Sequence, residues 1–241
     1  MRQETMSTLF MLRHGQASFG HDDYDQLSPT GYRQARTVGR HLRDIGIAFD
    51  AVYTGEMARQ RQTFEAVADV FGRFEAVLPE PVVTTDLNEY DSTGVWNHFF
   101  PALIRENPQL ELDESRLLQD PKAFQSVFAR IVHRWVEGAH EGPGIESWPA
   151  FRTRIDQGLQ SIMRQEGSGK NVLVCSSAGP IAVAVQLATG MSDRQCLGIS
   201  WQVMNASLTR FRYNAEKMTL VGFNDVAALE IQGEPALLTY R

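Results

Sequence analysis

The segment "TLFMLRHG", residues 8–15, carries the clearest structural signal in the sequence. Its apolar part ends abruptly in Arg13, His14 and Gly15. A short apolar run of this kind is typical of a buried strand. In open α/β sheets, ligands bind beyond the carboxyl ends of the strands. The cation, the imidazole and the glycine therefore indicate a functional loop at the end of the first strand.

The remaining strand and helix patterns alternate along the chain. Strand-like runs occur at 50–54, 82–89, 171–177 and 206–213. Helical patterns lie at 29–45, 57–71, 121–137, 148–165 and 180–189. This alternation predicts a three-layer α/β/α sandwich around a mainly parallel sheet. The stretch 91–146 contains helix formers but no convincing strand, so we predict a helical cap insertion within a single domain of residues 1–241.

Composition excludes several classes of function. The chain has 241 residues, with 29 acidic and 23 basic side chains and a net charge of −6. This charge disfavours a general nucleic-acid or membrane-surface binder, although a locally positive pocket can still take an anionic substrate. We find neither an apolar run of about 18 residues nor a signal peptide, and Cys175 and Cys196 suggest no disulfide framework. We expect a soluble, cytoplasmic protein.

Polar side chains follow the other predicted strands. Arg59 and Arg61 begin the helix after the second strand, and Glu89 lies just past the next one. Ser177 and Ala178 stand between the strand "NVLVCSS" and the helix that follows it. Main-chain N–H groups at a helix N-terminus favour an anion. Together these groups suit a phosphate.

The chemistry of these side chains fits phosphoryl transfer. A neutral imidazole can attack phosphorus and form a phosphohistidine, while arginines hold the nonbridging oxygens. A carboxylic acid can protonate the leaving oxygen and afterwards, as a carboxylate, activate water. Gly15 would let the backbone approach the ligand closely. Paired aspartates and His/Cys spacings suited to a metal are missing from the sequence, so we predict neither metal nor organic cofactor.

An ordered set of motifs resembles the histidine phosphatase superfamily, the phosphoglycerate mutase-like proteins. Besides "LRHG", the matching segments are "LSPTGYRQA" (27–35), "VYTGEMARQRQTFEAV" (52–67), "LNEYD" (87–91), "IESWPAFRTRI" (145–155), "NVLVCSSAGPI" (171–181) and "MNASLT" (204–209). The resemblance covers most of the chain and is weakest near 91–145. It implies that His14 is the nucleophile and that Glu89 is the general acid and base. It also implies that Arg13 and Arg59 bind phosphate, whereas spacing alone leaves Arg59 and Arg61 equivalent.

One position departs from the family pattern. Ser177 stands where the resemblance implies a second histidine that helps to bind the phosphoryl group. An imidazole introduced at this position would tighten anion binding, unless another side chain such as His21 or His98 already fills the space. Trp96, Phe99 and Phe100 are interpreted as core of the cap.

The functional hypothesis that follows is a phosphohydrolase acting through a phosphohistidine at His14. Its substrate would be a small phosphomonoester or, less favoured, a phosphohistidine protein. Two alternatives stay open: a phosphoglycerate mutase-type phosphotransferase, and a weakly active or inactive regulatory protein that keeps the phosphate pocket. The state of association, including a homodimer, is also left open.

Overall fold

A computed structural model describes residues 6–18, 25–74, 76–107, 120–138 and 144–240. The chain divides into two compact units, one of Met1–Glu89 with Arg154–Arg241 and one of Tyr90–Thr153. The predicted insertion, 91–146, falls within the second unit. That this segment caps the sheet, and that the chain is a single domain, both stay predictions.

The first unit contains a six-stranded sheet. Its strands are β1 (Ser7–Arg13), β2 (Ala51–Thr54), β3 (Pro81–Val83), β4 (Asn171–Ser176), β5 (Leu208–Tyr213) and β6 (Met218–Asp225). They are arranged in the order β3-β2-β4-β1-β5-β6. The β3–β2, β2–β4 and β4–β1 pairs are parallel, while β5 and β6 add antiparallel pairs at one side. The predicted mainly parallel α/β sheet is confirmed.

The sheet register brings distant parts of the chain together. Arg13 at the end of β1 pairs with Ser176 at the end of β4. Because the two strands are parallel neighbours, His14 and Ser177 leave the same edge of the sheet side by side. The antiparallel strand β5 begins opposite Leu12, so the residues just before it also lie at this edge.

The helices mostly begin and end near their predicted bounds. They are α1 (Pro29–Asp44), α2 (Ala58–Gly72), α3 (Ser92–Glu106), α4 (Pro121–Val136), α5 (Trp148–Glu166), α6 (Ala178–Thr189), α7 (Asp193–Ser200) and α8 (Ala227–Glu230). Helix α6 starts two residues before the predicted position 180. Pro180 is tolerated there because N–H groups of a first helical turn have no partner within the helix.

Some elements differ from the sequence prediction. The strand predicted at 82–89 ends at Val83, and a 3₁₀ turn follows at Thr85–Leu87. The Thr84 side chain accepts a hydrogen bond from the Asp86 N–H, which favours the turn over a continued strand. The prediction also missed β6 and α7. Helix α7 has a capping box, in which Ser192 and Gln195 exchange hydrogen bonds, but only eight residues of periodic pattern.

Alternation along β1 builds the core on both faces of the sheet. Phe10 and Leu12 belong to an apolar cluster with side chains of α1 and α2, such as Val38 and Val67. Leu9, at 0% exposure, points to the opposite face, since successive strand residues alternate. Helix α6 packs against β1 there.

Two further expectations concern cysteines and membranes. Cys175 and Cys196 are both buried thiols, and burial raises the pKa of the Cys175 thiol to about 12. Cys175 is therefore an inert core residue. Across the described ranges, none of the helices combines the length and the apolar character needed to traverse a bilayer.

In the second unit, α3 packs against α4. Trp96 stacks on Phe100 and Phe124, with ring centroids 4.6 and 5.1 Å away, and Phe99 is buried. His98 lies in α3 of this unit, while His21 lies outside the described residues.

Candidate active site

His14 is held by its backbone at the junction of three strand ends. Its N–H donates to the Ser176 carbonyl at 2.9 Å, and its carbonyl accepts from the Ala206 N–H at 3.2 Å. The Asn205 side-chain amide donates to the same carbonyl at 3.3 Å. The segment before β5, which the sequence indicated only as part of a strand, therefore fixes the position of His14.

The hydrogen bonds of the imidazole define its tautomer. The Nδ1 atom lies 2.7 Å from the carbonyl oxygen of Gly15, and the Arg59 Nε–H donates to Nε2 at 3.2 Å. Arginine can only donate and a carbonyl can only accept. Nδ1 therefore carries the proton, and the lone pair on Nε2 faces Arg59. A histidine can act as a nucleophile only through an unprotonated ring nitrogen such as this Nε2.

The surroundings of His14 keep it neutral. Burial is the main factor that lowers its pKa well below the usual 6.5, and the positive charges of Arg59 and Arg13 lower it further. The hydrogen bond to the Gly15 carbonyl opposes this shift only in part. At neutral pH the side chain is therefore the uncharged imidazole.

The structure separates the two arginines of α2. Arg59 is buried against His14, whereas Arg61 is exposed. The Nη1 of Arg59 forms an ion pair with Oδ1 of Asp25 at 2.5 Å, and Oδ2 of Asp25 accepts from the Ala58 N–H at 2.7 Å. Asp25 thus satisfies the N-terminus of α2 and orients Arg59 at once. The sequence analysis missed Asp25, and no local pattern links it to Arg59.

Arg13 is also buried, and its Nη1 donates to the Val203 carbonyl. This contact ties the guanidinium to the segment before β5. Its charge acts on His14, as the lowered pKa of the imidazole shows. Two cations thus flank one neutral imidazole, an arrangement that can bind an anion placed against Nε2.

Gly15 has a structural role besides the one predicted. A Cβ at this position would lie 2.4 Å from the Gly31 carbonyl oxygen, so the loop and the start of α1 touch through their backbones. The Gly15 N–H donates to the Thr63 hydroxyl at 3.0 Å, and that hydroxyl donates to the Arg59 carbonyl at 2.7 Å. Gly15 therefore links His14 to the helix that carries Arg59. Close approach of its backbone to a ligand stays a prediction.

Glu89 lies at the N-terminus of α6. Its Oε2 accepts from the Gly179 N–H at 3.0 Å. The backbone before it is held by Arg154, whose Nη1 donates to the Asn88 carbonyl at 3.2 Å, and by the Ser176 hydroxyl, which donates to the Leu87 carbonyl at 2.8 Å. These contacts bring the predicted acid to the edge of the sheet at which His14 lies.

Ser177 and Ala178 stand where β4 gives way to α6. Ala178 is the first residue of the helix, and Ser177 is fully buried. The Ser177 hydroxyl does not cap the helix; it accepts instead from Nε2 of Gln60 at 2.9 Å. Gln60, which the sequence analysis did not single out, therefore occupies the space beside Ser177.

Across the described part of the chain, His, Cys, Asp and Glu side chains form no group of three that could hold a metal ion.

The fold and the site together indicate a class of protein and a family. The mainly parallel sheet, with histidine, arginines and a glutamate at its edge, has the form of an enzyme that handles phosphoryl groups. Residues 9–226 match the Histidine phosphatase superfamily (branch 1). The chain belongs to this superfamily.

Known relatives and structures agree with this membership. A 2,3-bisphosphoglycerate-dependent phosphoglycerate mutase of Allorhizobium ampelinum is 23% identical over 80% of this chain and 84% of its own. The crystal structure of a phosphoglycerate mutase from Bacillus anthracis is 18% identical, with a TM-score of 0.63, covering 96% of this chain and 98% of that one. The crystal structure of a phosphoserine phosphatase mutant from Entamoeba histolytica, in complex with phosphoserine, is 18% identical, with a TM-score of 0.63. This similarity covers 93% of this chain and 100% of that one. At these identities the two solved structures establish the fold.

Proposed function

We propose that this protein is a phosphohydrolase that cleaves a phosphomonoester through a phosphohistidine on Nε2 of His14. The observation that carries the proposal is the state of this nitrogen. Its lone pair is free of a proton and faces the guanidinium of Arg59, 3.2 Å away. A neutral nucleophile beside a fixed cation attracts a phosphoryl group and can attack it.

The first step transfers the phosphoryl group to the protein. The Nε2 lone pair of His14 forms a bond to phosphorus while the bond from phosphorus to the ester oxygen breaks. Arg13 and Arg59 bind the nonbridging oxygens and offset the charge of the transition state. Glu89, in its protonated form, gives its proton to the departing oxygen, so the product leaves as an alcohol.

The second step releases phosphate. The Glu89 carboxylate takes a proton from a water molecule, whose oxygen attacks phosphorus as the bond to Nε2 breaks. Inorganic phosphate is released, and His14 returns to its neutral form with the proton still on Nδ1. Chelators do not affect either step under this proposal, because no metal takes part.

The named relatives favour a second candidate, a phosphoglycerate mutase-type phosphotransferase. A mutase returns the phosphoryl group from histidine to a bound product and does not pass it to water. The two activities differ in whether inorganic phosphate accumulates when 3-phosphoglycerate is supplied together with 2,3-bisphosphoglycerate. The regulatory alternative predicts neither phosphate release nor interconversion.

Rapid quenching with ³²P-labelled p-nitrophenyl phosphate tests the proposal. We expect acid-labile, base-stable label on the wild-type protein, and neither label nor turnover in His14→Ala. His41→Ala is the matched control, because this histidine lies in the last turn of α1, about 15 Å along the helix from Gly31. Turnover by His14→Ala at the wild-type rate would overturn the mechanism, as would its loss in EDTA.

A further inference from the structure

Gln60 connects three segments that carry the candidate site. It follows Arg59 in α2 and is fully buried. Its Nε2 donates to the Leu87 carbonyl at 3.1 Å and to the Ser177 hydroxyl at 2.9 Å. One amide thereby joins the start of α2 to the segment before Glu89 and to the start of α6.

The orientation of this amide is determined by its neighbours. The Leu87 carbonyl can only accept, so the NH₂ group of Gln60 must face it. Gly55 gives room for the other half: a Cβ there would lie 1.9 Å from Oε1 of Gln60, far inside normal contact. Within the described residues Oε1 has no hydrogen-bond partner. A buried carbonyl without a hydrogen bond is unfavourable, so this orientation of the amide is maintained by the two hydrogen bonds that its NH₂ group donates.

Each acceptor of Gln60 lies two residues before a residue of the Glu89–Gly179 hydrogen bond. Leu87 precedes Glu89 by two residues, and Ser177 precedes Gly179, whose N–H binds the Glu89 carboxylate, by two residues. Displacement of the amide would take this donor from the Ser177 hydroxyl and leave the Leu87 carbonyl with the Ser176 hydroxyl, of the two side-chain donors named here. The position of Glu89 relative to Arg59 and His14 would then lose one of its buried supports.

We propose that Gln60 is a positioning residue that sets Glu89 for proton transfer to the leaving group, a role that rests on the function proposed above. Gln60 does not touch the substrate. Its amide acts through the Leu87 carbonyl and the Ser177 hydroxyl. Its loss therefore impairs protonation of the leaving oxygen and spares the binding of the phosphoryl group by Arg13 and Arg59.

Leaving groups that differ in their need for a proton distinguish impaired protonation by Glu89 from impaired binding of the phosphoryl group. An alkoxide is a poor leaving group and needs the proton from Glu89, whereas p-nitrophenolate is a stable anion and departs with little help. Two probes of similar shape, p-nitrobenzyl phosphate and p-nitrophenyl phosphate, report this difference. The quantity compared is kcat/KM, because it covers the steps up to departure of the leaving group and excludes hydrolysis of the phosphohistidine.

Gln60→Met is the test variant, since it keeps the volume of the side chain and removes both donated hydrogen bonds. We expect the ratio of kcat/KM for the aryl ester to that for the benzyl ester to rise about tenfold, a part of the 10²–10⁴ that general acids contribute. The inhibition constant for vanadate stays within about threefold of the wild type, because the arginines are untouched.

Gln186→Met is the matched control. Gln186 is also buried, donates to the Met191 carbonyl at 3.1 Å and has an Oε1 without a partner among the described residues. It lies well along α6, so its variant keeps the wild-type ratio. An unchanged ratio in Gln60→Met, or an equal loss on both esters, would overturn the positioning role. The proposed function fails separately, if the wild type forms no phosphohistidine at His14.

Discussion

Replacement of Gly15 by alanine tests the backbone contact that joins His14 to the rest of the site. The new Cβ would lie 2.4 Å from the Gly31 carbonyl oxygen and 2.8 Å from its carbonyl carbon, whereas Cβ atoms in proteins stay at least 3.0 Å from such neighbours. The two backbones must therefore separate by at least 0.6 Å. Neither neighbour is the end of a flexible side chain, so the strain reaches the β1 loop and the start of α1.

The size of the effect follows from this displacement. Overpacking of this kind costs about 1–3 kcal/mol of the free energy of unfolding, and 1 kcal/mol lowers Tm by about 2–4 °C in a chain of this size. We therefore expect Tm to fall by about 2–12 °C. Because Gly15 also binds Thr63, and through it the Arg59 carbonyl, the strain shifts His14 relative to Arg59. A misplacement approaching 1 Å can lower kcat by about 10²-fold.

Thermal denaturation and steady-state hydrolysis of p-nitrophenyl phosphate measure both effects. Gly198→Ala is the matched control, because Gly198 is an exposed residue of α7 with no neighbour within 4 Å of the added Cβ. Alanine there stabilises the helix by about 0.5–1 kcal/mol and leaves turnover unchanged. The same substitution thus acts in opposite directions at the two sites. A Gly15→Ala protein with the wild-type Tm and kcat would show that the loop and the start of α1 accommodate the added methyl group without displacement.

Three other predictions follow from the site. Burial and the charge of Arg59 lower the pKa of His14, so the acidic limb of kcat/KM lies below pH 6.5, and a midpoint at or above 6.5 would contradict this. Asp25→Asn keeps an acceptor for the N-terminus of α2 but removes the ion pair to Arg59. Because this pair is partly exposed, we expect kcat/KM to fall about fivefold, which corresponds to about 1 kcal/mol. An unchanged kcat/KM would show that Asp25 does not orient Arg59. Ser177→His places an imidazole where the Gln60 amide lies and lowers kcat/KM at least about tenfold. Adding Gln60→Ala restores part of that loss, and an active single variant would show that the space is open.

The expectation for Ser177 changes once its surroundings are known. The sequence analysis expected an added imidazole to tighten anion binding unless His21 or His98 filled the space. The structure places Gln60 beside the buried hydroxyl. Gln60 is 117 positions away in sequence, and no periodicity or spacing relates the two residues.

The boundaries that sequence reasoning missed share a physical cause. The strand predicted at 82–89 is apolar only at its start, and a side-chain hydrogen bond from the Asp86 N–H to Thr84 ends it after Val83. Strand β6, Met218–Asp225, alternates poorly because most of its side chains are only half-buried at the outer position of the sheet. Local pattern weakens wherever an element buries little apolar surface.

The sequence by itself determined the alternation of strands and helices and the polar groups at the strand ends. Both are local properties, since an apolar run followed at once by Arg13 and His14 carries its meaning in adjacent residues. The resemblance already favoured Arg59 over Arg61, but the ion pair from Arg59 to Asp25 and the position of Gln60 between Leu87 and Ser177 became known only from the folded structure. These depend on side-chain hydrogen bonds between residues 27 to 117 positions apart. Such contacts exist only after strand order and register have brought the segments together. The periodicity of the sequence determines on which face of a strand or helix a side chain lies, but not which distant residue it contacts.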